Sequence, residues 1–455
     1  MTQPRPTRIA TTFGVAWLSL CFTTVALAQQ QVVRPAKTNL WIDVSTGSMA
    51  GMPEMEGTAM GGVAGMLGGL MGGGRGGGGS GGMGGALTSY GQARGMSMMP
   101  SRVMDIALLN TLRPGVEANQ AIPAGLKMGE ALPLQPPARA ESVREYDEKE
   151  HERAPTERGE PPKGRILIYW GCGETVRSGQ PRVINLAGNP AQFGSAFSGR
   201  YAPDRSVRVS DKHALYPNEK NSVNLSKDSS LVGEHQIKGD GVPASMRFSL
   251  GPAQDVMPAI MLQANGAPTD SIGLSWQSLP HAKAYFISAF ASQGDDMVLW
   301  SSSEIADVGM GLFDYLPNAT IDRWLRERVL LAPATQQCAV PKGIFASPAG
   351  SRNEGGAMAQ MIAFGGESYI VHPPRPTDPK TPWDQEWAVR VRTKAQTMAS
   401  LGESSSRASR GAPAAPAPGA PTAANQAPAE PAQGAAPLIP GLPGAVNLLK
   451  GLFGR

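Results

Sequence analysis

From Gly47 to Gly95 the chain runs through a tract of glycine and methionine whose centre reads GGVAGMLGGLMGGGRGGGGSGGMGG. Glycine at this density holds neither helix nor strand, because fixing its backbone costs too much conformational entropy. Yet both flanks carry a strand pattern. Asn39 to Val44 alternates Leu40, Ile42 and Val44 against Trp41 and Asp43, and Ser101 to Leu112 sets Met104, Ile106 and Leu108 on one face. The pattern predicts two strands of one sheet joined by a flexible Gly/Met-rich insertion over 47–99. A second biased tract, RGAPAAPAPGAPTAANQAPAEPAQGAAP, predicts a disordered Pro/Ala-rich linker over 401–437. With 56 Gly and 40 Pro among 455 residues, the folded part is expected to be much smaller than the chain.

The first 28 residues have the features of a signal peptide. Arg5 and Arg8 precede an uncharged run from Ile9 to Leu27, and Ala26-Leu27-Ala28 gives the small-x-small cleavage pattern. Residues 1–28 are therefore expected to be removed, and the protein to be periplasmic or secreted, with outer-membrane association. Cys21 leaves with that segment, so the remaining chain keeps Cys172 and Cys338. In an oxidising compartment they can form one disulfide, or they can stay as two buried thiols, and the sequence leaves both open. The formal net charge of +4 is too small to point to nucleic acid. No later segment is a run of about twenty apolar residues, so no transmembrane helix is expected in the mature chain.

The rest reads as mainly β. A charged linker is expected over 138–164, and the apolar run Arg165 to Trp170 (RILIYW) predicts a strand covered on both faces. Short alternating stretches with turn residues between them recur from Val183 to Leu250, so residues 29–265 are expected to form an N-terminal β domain. Beyond Ile272, the residues Ile272, Leu274 and Trp276 share one face. Leu279-Pro280-His281-Ala282 then turns the chain, and Tyr285 and Ile287 open another strand. Met297 to Ser301 and the alternating Trp387 to Thr393 continue the pattern. Over 266–400 this arrangement resembles a fibronectin type III-like domain, with Ser303–Pro333 as an insertion. That insertion is expected to carry a helix over Ile321–Arg328 with Thr320 as its N-cap. The fold class expected is thus two β-sandwich-like domains, the second fibronectin type III-like. The whole chain also resembles a group of uncharacterised exported proteobacterial proteins, through the Gly/Met loop, YWGCGE and DDMVLWSSSE. That resemblance implies export and carries no chemistry.

Three features bear on function. Eleven of the 21 methionines lie between positions 49 and 104. Met49, Met52, Met55, Met96, Met98 and Met99 offer thioethers, soft ligands suited to Cu(I), which makes copper the candidate cofactor. The C-terminal 438–455, LIPGLPGAVNLLKGLFGR, groups Val446, Leu448, Leu449, Leu452 and Phe453 into a short amphipathic stripe. Such a stripe suits docking against an envelope protein or a membrane surface. Arg390, Arg392 and Lys394 form a basic strip on one strand, expected to be a solvated outer face.

Histidine is sparse and nowhere at metal-site spacing, while Asp295-Asp296 and Glu174 read as turn residues. Neither a phosphate-loop signature nor a nucleophile motif is present. The reading is a non-catalytic cell-envelope binding or scaffolding protein. A periplasmic Cu(I)-binding protein and an envelope hydrolase with an unrecognised site are the alternatives.

Overall fold

The structure is a computed structural model that describes residues 31–51, 90–94, 101–137, 164–186, 199–309, 311–347 and 355–402. It is mainly β, as expected. The first half supplies β1 (Val33–Arg34), β2 (Thr38–Met49), β3 (Ser101–Asn110), β4 (Ala118–Ala121) and β5 (Ala131–Leu134), then β6 (Arg165–Trp170), β7 (Arg182–Asn185), β8 (His213–Tyr216), β9 (Gly233–Gly239) and β10 (Arg247–Leu250). The second half supplies β11 (Gln263–Asn265), β12 (Ile272–Ser275), β13 (Ala284–Gln293), β14 (Asp296–Ser301), helix α1 (Asn318–Arg326), β15 (Gln337–Val340), β16 (Ala357–His372), β17 (Trp383–Asp384) and β18 (Trp387–Leu401).

Nine strands form one sheet in the order β7-β6-β14-β13-β16-β18-β2-β3-β8. Two smaller sheets, β11-β12-β15 and β10-β9-β4-β5, lie against it, and β1 pairs with β17 separately. Side chains alternate between the faces of a strand, so the nine-stranded sheet has two distinct surfaces. On the first, Tyr285, Ile287, Met361 and Trp300 pack with Ile272 and Leu274 of the three-stranded sheet and with Trp276 just after β12. Further along the same surface, Leu40, Ile42, Ile106 and Val391 pack with Leu132, Ile237 and Phe248 of the four-stranded sheet. Two sandwiches thus share one continuous sheet.

Strand pairings cross the expected division at 265/266. β2 pairs parallel with β18 through twelve register partners, Trp387 with Thr38 to Met398 with Met49, and β6 pairs parallel with β14. N-terminal strands therefore complete both sides of the sheet built from β14, β13, β16 and β18. An uncovered strand edge leaves backbone N–H and C=O groups unpaired, and here the first half of the chain supplies the partners. β2 and β3 are antiparallel neighbours, as the flanks of the Gly/Met tract predict. The strand runs further than expected, however: β2 continues through Gly47 and Ser48 to Met49.

The helix also differs from expectation. α1 starts at Asn318 directly after Pro317 and no side chain caps it, so Thr320 lies inside the helix. Pro317, with its φ fixed near the helical value, marks the start. The expected face is kept, with Ile321 and Trp324 buried against Phe286, Ile362 and Phe364. Cys172 and Cys338 are joined by a disulfide, with Cα atoms 5.0 Å apart, tying the turn after β6 to β15.

Strand direction has a further consequence. β2 and β18 end side by side, and β3 and β16 begin there. β6 also begins at that end and β7 finishes at it. Residues 1–30, which include the expected signal peptide 1–28, and residue 310 lie outside the described residues, as do the segments 52–89, 95–100, 138–163, 187–198, 348–354 and 403–455. Each of these segments adjoins this end of the nine-stranded sheet through at least one of its flanks. The expected Gly/Met insertion, charged linker, Pro/Ala linker and C-terminal peptide fall mostly or wholly among them.

Candidate functional site

The second surface of the nine-stranded sheet carries the candidate site. Arg390, Arg392 and Lys394 are 6%, 3% and 1% exposed, which corrects the expected solvated face. The alternation along β18 holds, and the face is covered. Arg392 stands in register with Asp43 of β2, and Asp43 with Asp105 of β3. Arg392 donates through Nε to Asp43 Oδ1 at 2.7 Å and through a closer Nη2 contact to Oδ2. This is the two-pronged geometry that makes arginine–carboxylate pairs strong. The Tyr315 ring lies beside the guanidinium of Arg392 at 4.5 Å and the ammonium of Lys394 at 4.9 Å. Arg390 donates to the carbonyl of Arg205 at 2.7 Å.

Much of the cover comes from Tyr90–Arg94, a short described stretch at the end of the Gly/Met tract. Its Ala93 N–H donates to Asp105 Oδ2 at 2.8 Å, and its Ala93 carbonyl accepts from the Tyr315 hydroxyl at 3.1 Å. Lys394 Nζ donates to the carbonyls of Arg94 at 2.9 Å and Phe313 at 3.2 Å. The Arg94 guanidinium reaches Asp314 at 3.0 Å and Asp204 at 3.2 Å.

Burial shapes the ionisation of these groups. It pushes the Asp105 carboxyl up to about 7, with Asp43 adding to the rise while N–H groups of Ala93 and Gly91 oppose it. Burial brings Lys394 down to about 8, against the attraction of Asp314 and Asp43. It would also lower Arg392, but the hydrogen bonds and charge of Asp43 hold that guanidinium above its usual range. Burial raises the phenols of Tyr90 and Tyr315 as well. The cluster can hold backbone against the sheet and take up or release a proton at Asp105.

The residues singled out from the sequence are scattered relative to this cluster. Met49 ends β2 as the register partner of Met398. Met52, Met55, Met96, Met98 and Met99 lie outside the described residues, as do Val446, Leu448, Leu449, Leu452 and Phe453. Cys172 and Cys338 are consumed in their disulfide. Asp296 pairs with Arg165 across the β14–β6 edge, Nε to Oδ2 at 3.1 Å. His281 occupies its turn with φ of 66°. His235 is buried, hydrogen-bonded to Gln120 and to the carbonyl of Leu231. Among the described residues no group of three or more His, Cys, Asp or Glu could hold a metal, and no helix is long and apolar enough to cross a membrane.

Sequence reading missed Asp43, Asp105, Tyr315 and the docked Tyr90–Arg94. A signal existed for the first two: each is the one acid of its strand, opposite in sign to the Arg-x-Arg-x-Lys phase of β18. Compared with known proteins, the chain matches no family model, no curated protein and no solved structure.

Proposed function

We propose that this is an exported cell-envelope protein with a binding or scaffolding role and no catalytic one. A rigid β body would present tethered segments to a partner. The observation that carries the reading is the parallel pairing of β2 with β18, which sets their ends side by side. The Gly/Met tract and the C-terminal segment therefore leave the body from one place. An apolar stripe at the end of a Pro/Ala spacer suits capture of an envelope protein or attachment to a membrane surface. Within the body, residues 266–400 are read as a fibronectin type III-like sandwich. Support comes from the order β11-β12-β15 facing β14-β13-β16-β18 and from Trp276 meeting Tyr285 edge-on at 5.7 Å.

The test is fractionation of a Gram-negative host expressing the full chain. Expected are a new N-terminus after Ala28, by mass spectrometry, and envelope association that disappears when 438–455 is deleted. An intact N-terminus in the cytoplasmic fraction overturns the reading.

A second reading, periplasmic Cu(I) binding, draws support from one point of geometry. Met49 and Met398 are adjacent in register at the mouth of the methionine-rich tract. Competition titration with Cu(I), on the full chain and on one lacking 52–99, separates the two. Tight binding that vanishes with the deletion favours copper handling, and no binding in either form removes it.

A further inference from the structure

Tyr90–Arg94 is the only part of 52–100 within the described residues, and it lies on the ionic half of the sheet. Its main chain is held there by Asp105, which accepts from Ala93 at 2.8 Å, by Lys394 at 2.9 Å and by Tyr315 at 3.1 Å. The N–H of Gly91 also points to Asp105. Only one carboxylate oxygen takes part. Oδ1 of Asp105 is buried and has no hydrogen-bond partner among the described residues.

A charged carboxylate buried with one bare oxygen opposes docking. A proton on Oδ1 removes that charge and leaves Oδ2 free to accept from the strap. When the strap lifts away, water reaches Asp105 and the group ionises like any surface carboxylate. Docking therefore takes up a proton. We propose that Tyr90–Arg94 is a releasable strap whose grip on the sheet is set by protonation of Asp105, firmer in mildly acidic solution than at neutral pH.

The charged and titratable groups around Asp105 are consistent with that direction. β2 contributes Asp43, and β18 contributes Arg392 and Lys394, with Arg390 further along. The strap itself brings Tyr90 and Arg94, and the segment before α1 brings Asp314 and Tyr315. Burial, with Asp43, lifts Asp105 to about 7 in the docked state. A carboxyl raised in this way favours docking fully below its ordinary range and loses that contribution as pH rises through about 7. Lys394 acts in the other sense. Lowered to about 8, it favours docking only at alkaline pH, and its contribution is nearly constant below 7. The response between about pH 6 and pH 7.5 therefore belongs to Asp105.

The strap ends in a tryptic site, Arg94-Gly95, and the same tract holds a reference site at Arg75 amid glycines. The experiment is brief trypsin digestion of the full chain at about pH 6 and about pH 7.5. Cleavage after Arg94 is measured by mass spectrometry relative to cleavage after Arg75 in the same sample, which cancels the pH dependence of the protease. The ratio is expected to rise about fivefold on going to the higher pH. Asp105→Asn, which keeps the shape of the neutral acid, is expected to hold the ratio low at both values. Ala93→Pro removes an N–H from the strap and leaves the sheet's own residues unchanged; it is expected to give a high ratio at both. A ratio in the natural chain that ignores pH overturns the proposal. So does a pH response that survives in either variant, or cleavage at Arg94 as fast as at Arg75 at the lower pH.

Discussion

One surface of the nine-stranded sheet is covered in two chemically different ways. Toward β13 and β16, Phe286, Ile362 and Phe364 meet Trp324 and Ile321 of α1. Toward β18, β2 and β3 the sheet presents Arg392, Lys394, Asp43 and Asp105, and the cover is Tyr315 with the main chain of Tyr90–Arg94. The step between them is a single register position, since Phe364 pairs with Lys394. Apolar packing is additive and indifferent to pH, whereas each charge in the ionic half is tolerated only through its partner. The apolar half therefore makes a permanent contact, and the ionic half makes one that solution conditions can adjust.

The sharpest break of this comparison is Asp43→Ala, which strands the buried Arg392. It should cost about 3–5 kcal/mol, read by denaturant unfolding. The pair variant Asp43→Leu with Arg392→Met should recover most of that loss, because well-packed apolar groups can replace a buried ion pair. No recovery would mean that the pair stabilises the fold beyond compensating its own burial.

Next in size is a pH effect confined to the ionic half. Asp105 is raised to about 7 in the fold, so its contribution is full at low pH and is lost as pH rises through that value. Between about pH 6 and pH 7.5 the natural chain should lose about 1 kcal/mol relative to Asp105→Asn. Phe286→Leu in the apolar half should leave that pH dependence unchanged. A similar size is expected for Ile362→Val, about 0.5–1.5 kcal/mol, the same at low and high salt. Smallest is Arg94→Ala, which removes the half-exposed links to Asp314 and Asp204. It should cost at most about 1 kcal/mol, fading as salt is added, with the melting temperature of the body almost unmoved.

These contrasts also mark what could be read from the chain alone. The pairing of β2 with β3 across a long glycine tract was legible, because an alternating pattern stands on each flank and stops at the glycines. The phase of β18 was legible too: Trp387, Val389 and Val391 face one way and Arg390, Arg392 and Lys394 the other. Whether that second face meets water was not. Its cover comes from Tyr315 and the main chain of Tyr90–Arg94, far away in the chain, and alternation reports which side chains share a face without reporting what lies over it. The pairings of β2 with β18 and β6 with β14 across 265/266 were not legible for the same reason, since strand pattern does not name a strand's neighbour.

The mainly β character, the positions of most strands and the inward phase of each are written into the chain itself. Local backbone entropy and side-chain alternation are enough for that. Long-range pairing alone sets one sheet running through both halves of the chain, the ends of β2 and β18 side by side, and a basic strip buried against two aspartates. Those outcomes depend on which distant strands satisfy each other's open edges and which opposite charges meet out of water.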